Sequence, residues 1–140
     1  MMCGMGQRMD DPISDRDYRA LAGFRRQLRT FLSFSEEAAA QAGITAQQHQ
    51  ALLALRAAPD RALLIGELAE HLRLRPHSAS GLVDRLEKLG LVQRDRATDR
   101  RRVPVTLTDR GAETIATLAL AHRAELRRLR PLLVEMLSEL

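Results

Sequence analysis

The chain has 140 residues, a formal charge of +4, 21 arginines against one lysine, and one cysteine. That length allows one domain, or one domain with helical arms, able to bury a core without staples, and a single cysteine excludes an intramolecular disulfide. No run approaches a membrane span, and residues 1–10 lack the apolar stretch of an export signal, so a soluble, cytoplasmic protein is expected. Arginine forks suit phosphate and guanine edges. A GC-rich coding bias would also replace lysine by arginine, so where the arginines fall carries more weight than their number.

Residues 1–13 show no periodicity and read as a disordered tail ahead of a single domain over residues 14–140. Ser14 with Asp17 approximates a capping box. Tyr18, Leu21, Phe24, Leu28, Phe31 and Ala38 then recur every three or four residues, marking a long amphipathic helix to about Gln41 that Gly43 closes. Thr45 with Gln48 forms a full capping box for a second helix to about Ala57. The stretch Ala58-Pro-Asp60 breaks it. A third helix has Ile65, Leu68, Ala69 and Leu72 on one face, with no capping side chain at Leu64. After the turn Arg73-Leu-Arg75, Pro76 opens a fourth helix whose buried stripe is Ala79, Leu82, Val83, Leu86 and Leu89, and Gly90 stops it.

Two segments then alternate at period two, residues 91–95 and 102–107, as the arms of a β-hairpin should. Pro104 lacks a ladder N–H, which marks its strand as an edge. Thr108 caps a last long helix to about Arg128, which Pro131 is expected to bend or split from a segment over residues 132–140. The fold class is mainly α with a small β-hairpin wing. Residues 62–107 form the winged lobe, and residues 14–57 and 108–140 form helical arms on either side of it.

Two short helices joined by a tight turn and followed by a hairpin make a helix-turn-helix with a wing. The second helix of such a pair enters the major groove by its N-terminal residues. Here those are Arg75, His77, Ser78, Ser80 and Gly81, with Arg85 a turn further on. Serine hydroxyls donate or accept at base edges, and a helix N-terminus attracts phosphate. Glycine inside a helix costs roughly 1 kcal/mol against alanine. Gly81 is therefore either needed for close approach to a duplex or simply tolerated. The wing carries Arg94, Arg96, Arg100, Arg101 and Arg102 against Asp95 and Asp99, and its natural partner is phosphate, with one guanidinium reaching into a minor groove.

These residues resemble the MarR family of bacterial transcription regulators. The likeness runs from Tyr18 to about Leu126. It is strongest in Ile65-Gly-Glu-Leu-Ala69, in residues 80–92 (Ser-Gly-Leu-Val-Asp-Arg-Leu-Glu-Lys-Leu-Gly-Leu-Val), and in Asp99-Arg-Arg101 through Leu107-Thr-Asp-Arg-Gly111. The resemblance implies a homodimer joined by its terminal helices. Its two lobes would read a pseudo-palindrome in double-stranded DNA as a repressor, released by a small aromatic or anionic effector or by thiol oxidation. It also implies that Asp99 and Arg101 brace the wing and that Arg100 or a neighbour enters the minor groove. The chain departs from the family at His49, where an aromatic is usual, at Arg73, where a turn glycine is common, and at Arg75, where a capping serine is usual.

Other residues invite function and are read more plainly. Cys3 lies fifteen residues before Tyr18 with nothing nearby to lower its pKa, and reads as an incidental thiol rather than a redox switch. His49, His71, His77 and His122 have no metal-ligand spacing, so neither metal nor cofactor is expected. Phe24, Arg26, Phe31 and His49 are candidates for an effector pocket, though the same aromatic stripe also serves dimer and core packing. No nucleophile–base set or Gly-rich phosphate loop is present, and an enzyme is not expected. The competing class is a winged-helix module for protein–protein contact without DNA binding.

Overall fold

The structure, a computed structural model, describes residues 12–95 and 102–140. Among these, the elements in chain order are α1 (Asp15–Gln41), α2 (Ala46–Ala57), a 3-10 turn (Pro59–Arg61), β1 (Ala62–Leu64), α3 (Ile65–Leu72), α4 (Pro76–Lys88), β2 (Val92–Arg94), β3 (Pro104–Leu107) and α5 (Asp109–Ser138). The architecture is the expected one, mainly helical with a small β wing. The described residues divide into two compact units, one within residues 33–124 and one within residues 12–32 and 125–140.

In the larger unit, Leu52, Leu55, Leu68, Leu82, Leu86, Val105 and Ile115 lie in one buried cluster. Each such side chain contributes about 1.5–3 kcal/mol through removal from water. The stripes expected for α3 and α4 supply three of them, Leu68, Leu82 and Leu86, and Ala69, Ala79 and Val83 are buried too, whereas Leu89, expected in the same stripe, caps the end of α4 and is exposed. Thr45 and Gln48 exchange both hydrogen bonds of the capping box that starts α2, at 3.0 and 3.1 Å. At Leu64 the cap is one-sided: its N–H donates to Glu67 Oε1 at 2.8 Å, while leucine offers no acceptor in return.

The sheet corrects one expectation and extends another. Its order is β1-β3-β2, so Pro104 lies on the central strand, not on an edge. Pro104 is the first residue of β3, where a missing N–H costs least, and its carbonyl still accepts the Asp95 N–H at 3.0 Å. The third strand, β1, pairs antiparallel with β3 through Leu63↔Val105. Three residues, Ala-Leu-Leu, show no alternation by which a strand can be read, and β3 supplies the ladder that makes them one.

In the smaller unit, Ser14 and Asp17 cap α1 reciprocally: Ser14 N–H donates to Asp17 Oδ2 at 2.9 Å and Asp17 N–H to Ser14 Oγ at 3.2 Å. The backbone N–H of Ser14 is the main reason that the Asp17 carboxyl is held below its ordinary pKa. Arg16 pairs with Glu139, and Ala20 and Leu129 are buried. The expected break at Pro131 does not occur, and α5 continues to Ser138. Pro131 is exposed, so water can satisfy the carbonyl that its missing N–H leaves free. Among the described residues no helix is long and apolar enough to cross a membrane.

Candidate nucleic-acid interface

α3 ends at Arg73, which takes the left-handed conformation (φ 55°, ψ 46°) usually given to glycine. Its N–H reaches the carbonyls of Ala69 and Glu70, and Leu74 N–H donates to Ala69 O at 2.8 Å. This closes the turn tightly and redirects the chain into α4. Arg75 occupies the N-cap in extended conformation without a side-chain hydrogen bond, and Pro76 follows at the first helical position. The first turn of α4 is thus left with backbone N–H groups that no capping side chain occupies. Such a terminus favours anions.

Arg75, His77, Ser78 and Arg85 are exposed, while Ser80 and Gly81 are half-buried on the same helix. A β-carbon built on Gly81 would lie 3.7 Å from Arg85 Nη1, an ordinary contact, so nothing within the fold requires glycine there. The opposite face, Ala79, Leu82, Val83 and Leu86, is buried. The helix therefore presents its small polar residues outward because its apolar stripe is spent on the core.

α4 is stopped by Gly90, at φ +76°, a conformation that side-chain-bearing residues rarely adopt. Leu91 N–H donates back to Leu86 O at 3.0 Å. The hydroxyl of Thr108 donates to Gly90 O at 2.6 Å and accepts the Gly111 N–H at 3.1 Å, and Thr108 N–H donates to Leu91 O at 3.1 Å. Gly111 packs so closely on Leu91 that a β-carbon there would collide with the Leu91 carbonyl. The base of the wing is thereby fastened to the start of α5.

Of the wing residues, Arg102 is exposed. Arg94 is placed otherwise: its side chain is 16% exposed and its guanidinium pairs with Asp84 of α4. Arg96, Asp99, Arg100 and Arg101 lie outside the described residues, as does Cys3. Nothing along the chain marks the Asp84–Arg94 pair, since Asp84 reads only as one more polar residue of an amphipathic helix.

The four effector-pocket candidates fall in different units. Phe24, Arg26 and Phe31 belong to the smaller and His49 to the larger. His49 is 5% exposed, and its ring lies 4.6 Å from that of His122, tilted by 36°. Phe34 meets His122 edge-on at 5.2 Å. Because a carbonyl can only accept, the 2.7 Å contact to Leu118 O puts the His122 proton on Nδ1, and Nε2 then accepts from Ser35 Oγ at 2.9 Å. His49 Nδ1 is buried without a hydrogen-bond partner among the described residues. Burial, and next the charge of His122, push the His49 pKa down. A separate groove of about 460 Å³ is lined by Leu53, Arg56, Ile115, Ala119, Leu120 and Arg123 and uses none of the four candidates. Among the described residues no group of three or more His, Cys, Asp or Glu could hold a metal ion.

Comparison with known proteins gives the following. Residues 42–102 match the MarR family. A MarR family protein from Bacillus stearothermophilus is 28% identical, with 80% of each chain covered and a TM-score of 0.66. Sco3205, a MarR family transcriptional regulator from Streptomyces coelicolor solved in complex with DNA, is 25% identical, with 84% of this chain and 76% of that one covered and a TM-score of 0.66. AbsC, a MarR family transcriptional regulator from the same organism, shares the fold at 24% identity, with 84% of this chain and 80% of that one covered and a TM-score of 0.69. No curated protein matches the sequence.

Proposed function

We propose that the chain, whose residues 42–102 match the MarR family, is a double-stranded DNA-binding transcription regulator of the cytoplasm, a homodimeric repressor on a pseudo-palindromic operator. The observation that carries this reading is the exposed N-terminal turn of α4, with Arg75, His77 and Ser78 outward and no capping side chain on its N–H groups. Ser80, Gly81 and Arg85 extend that face. Arg102, with Arg96, Arg100 and Arg101, supplies phosphate and minor-groove contacts, and Asp99 braces the wing. Homodimerisation is supported by apolar side chains left exposed in the smaller unit, among them Leu21, Leu28, Leu32, Leu126, Val134 and Leu137. Release by a small aromatic or anionic effector is part of the same proposal; Arg56 and Arg123 at the α2–α5 groove are cations that such a ligand could meet.

The test is selection from a random-sequence duplex library followed by gel shift and sedimentation. The expected result is a dimer that enriches duplexes with half-sites about one helical turn apart and loses affinity steeply with salt. Replacing Arg100 and Arg101 together by alanine should weaken binding and flatten the salt slope by about 0.9 for each phosphate no longer neutralised. Failure to enrich any duplex, with no shift at low salt, would leave the protein–protein module in its place.

A further inference from the structure

Arg94 stands on β2 opposite Val105 of β3, at the root of the wing. Its guanidinium does not point away from the lobe. Nη2 donates to Asp84 Oδ1 and lies 3.4 Å from the Ser80 carbonyl oxygen, and Nε is 3.9 Å from Glu87 Oε1. Residues 80, 84 and 87 follow one another at helical spacing, so they form a single stripe along α4. One arginine therefore holds a turn of this helix, at Ser80 and Asp84, from the strand β2, with Glu87 the next carboxylate along the same stripe.

The buried stripe of α4 is held by apolar contacts, which are non-directional and leave a helix free to roll by small angles. A charge-assisted hydrogen bond onto a carboxylate is directional and constrains rotation as well as distance. With its side chain 16% exposed, an arginine so engaged presents little of its guanidinium to a phosphate. We propose that Arg94 is a positioning residue for DNA recognition, in which the Asp84–Arg94 pair sets the rotation of α4 against the wing root and hence the register of both on a duplex. The inference rests on the DNA-binding reading and removes Arg94 from the set of phosphate-binding residues.

The experiment uses the full chain, a duplex that the wild type selects from a random library, and a scrambled duplex of equal length. The variants are Asp84→Asn, Arg94→Gln, Arg94→Lys and the double Asp84→Asn/Arg94→Gln. Each is titrated at several salt concentrations well below its Tm, with the active fraction fixed by stoichiometric binding. Asp84→Asn and Arg94→Gln should each weaken binding to the selected duplex at least about tenfold, comparable to removing one base-reading side chain, and reduce preference over the scrambled one. The salt slope should stay unchanged, Arg94→Lys should lose less, and the double variant should be no worse than the poorer single one. Removing the Asp84 charge alone would strengthen attraction to a polyanion, so weakening by Asp84→Asn has no simple electrostatic source. A slope flattened by about 0.9 in Arg94→Gln, with Asp84→Asn without effect, would make Arg94 a phosphate-binding residue and overturn the proposal. So would additive losses, unchanged discrimination, or a loss explained wholly by a smaller active fraction. If the wild type selects no duplex at all, the DNA-binding reading itself has failed, and this inference with it.

Discussion

Replacing Gly111 by alanine would drive a β-carbon into the carbonyl oxygen of Leu91, 3.0 Å from its carbonyl carbon and 3.3 Å from Leu107 Cδ2. Leu91 cannot swing aside cheaply. Its carbonyl accepts the Thr108 N–H at 3.1 Å, its own N–H is bonded to Leu86 O at 3.0 Å, and its side chain is buried. Forcing the two segments apart costs about 1–3 kcal/mol as overpacking strain. Loss of the Thr108–Leu91 hydrogen bond adds about 1 kcal/mol, and alanine's better helix propensity returns about 1 kcal/mol. The net expectation is a destabilisation of about 1–3 kcal/mol. Urea unfolding at fixed protein concentration reads it as a lower midpoint with an unchanged m-value. Gly81→Ala is the internal control. Its β-carbon meets only Arg85 Nη1 at 3.7 Å, so the same substitution should stabilise by about 1 kcal/mol. A Gly111→Ala protein as stable as the wild type would refute the close approach on which this reasoning depends. The Gly81→Ala protein also decides why glycine stands there. If a duplex needs the space, affinity for the selected operator falls although the fold is firmer.

Two further outcomes follow from the same geometry. His49 has its pKa lowered, so the unfolded chain binds more protons than the folded one below pH 6.5. Its contribution to stability is full above pH 6.5 and is lost as pH falls below that value; the drop in urea midpoint from pH 7.5 to pH 5 should shrink in His49→Phe. The ring that faces it, His122 of α5, and the partners of that ring, Ser35 and Phe34 of α1, remain in that variant, and an equal drop in both proteins would refute the assignment. Arg73→Gly should raise stability by about 0.5–1 kcal/mol, because left-handed backbone costs a side-chain-bearing residue more than glycine loses in entropy. A lower Tm for this variant would show that the arginine side chain repays the strain.

Much of the fold was legible because local chemistry dictates it. The capping box of Thr45 and Gln48, Pro76 at the start of α4, Gly90 at its end and the 3.6-residue stripe of Leu82, Val83 and Leu86 are each readable within one helical turn. Local signals also placed the small polar residues of α4 on its outward face. Proline was the residue type that misled. Pro104 reads as an edge and Pro131 as a break when only the lost N–H is counted. Strand order, and the exposure of α5 at Pro131, decided otherwise.

What sequence determined by itself, then, was where most of the helices start and which faces they turn to solvent, since both depend on side chains a few residues apart. Only the tertiary structure decided which distant residues meet. Ala62-Leu63-Leu64 became a strand because β3 lay beside it, His49 came to face His122, and Gly111 came to rest on Leu91. Arg94 shows the difference most plainly. Along the chain it is one of five arginines beside a hairpin loop, indistinguishable in chemistry from the others. In the fold, ten residues of separation close to a hydrogen bond, and the charge that looked available to a phosphate is held by Asp84. Charge is a property of the residue, but the partner that takes it is chosen by packing.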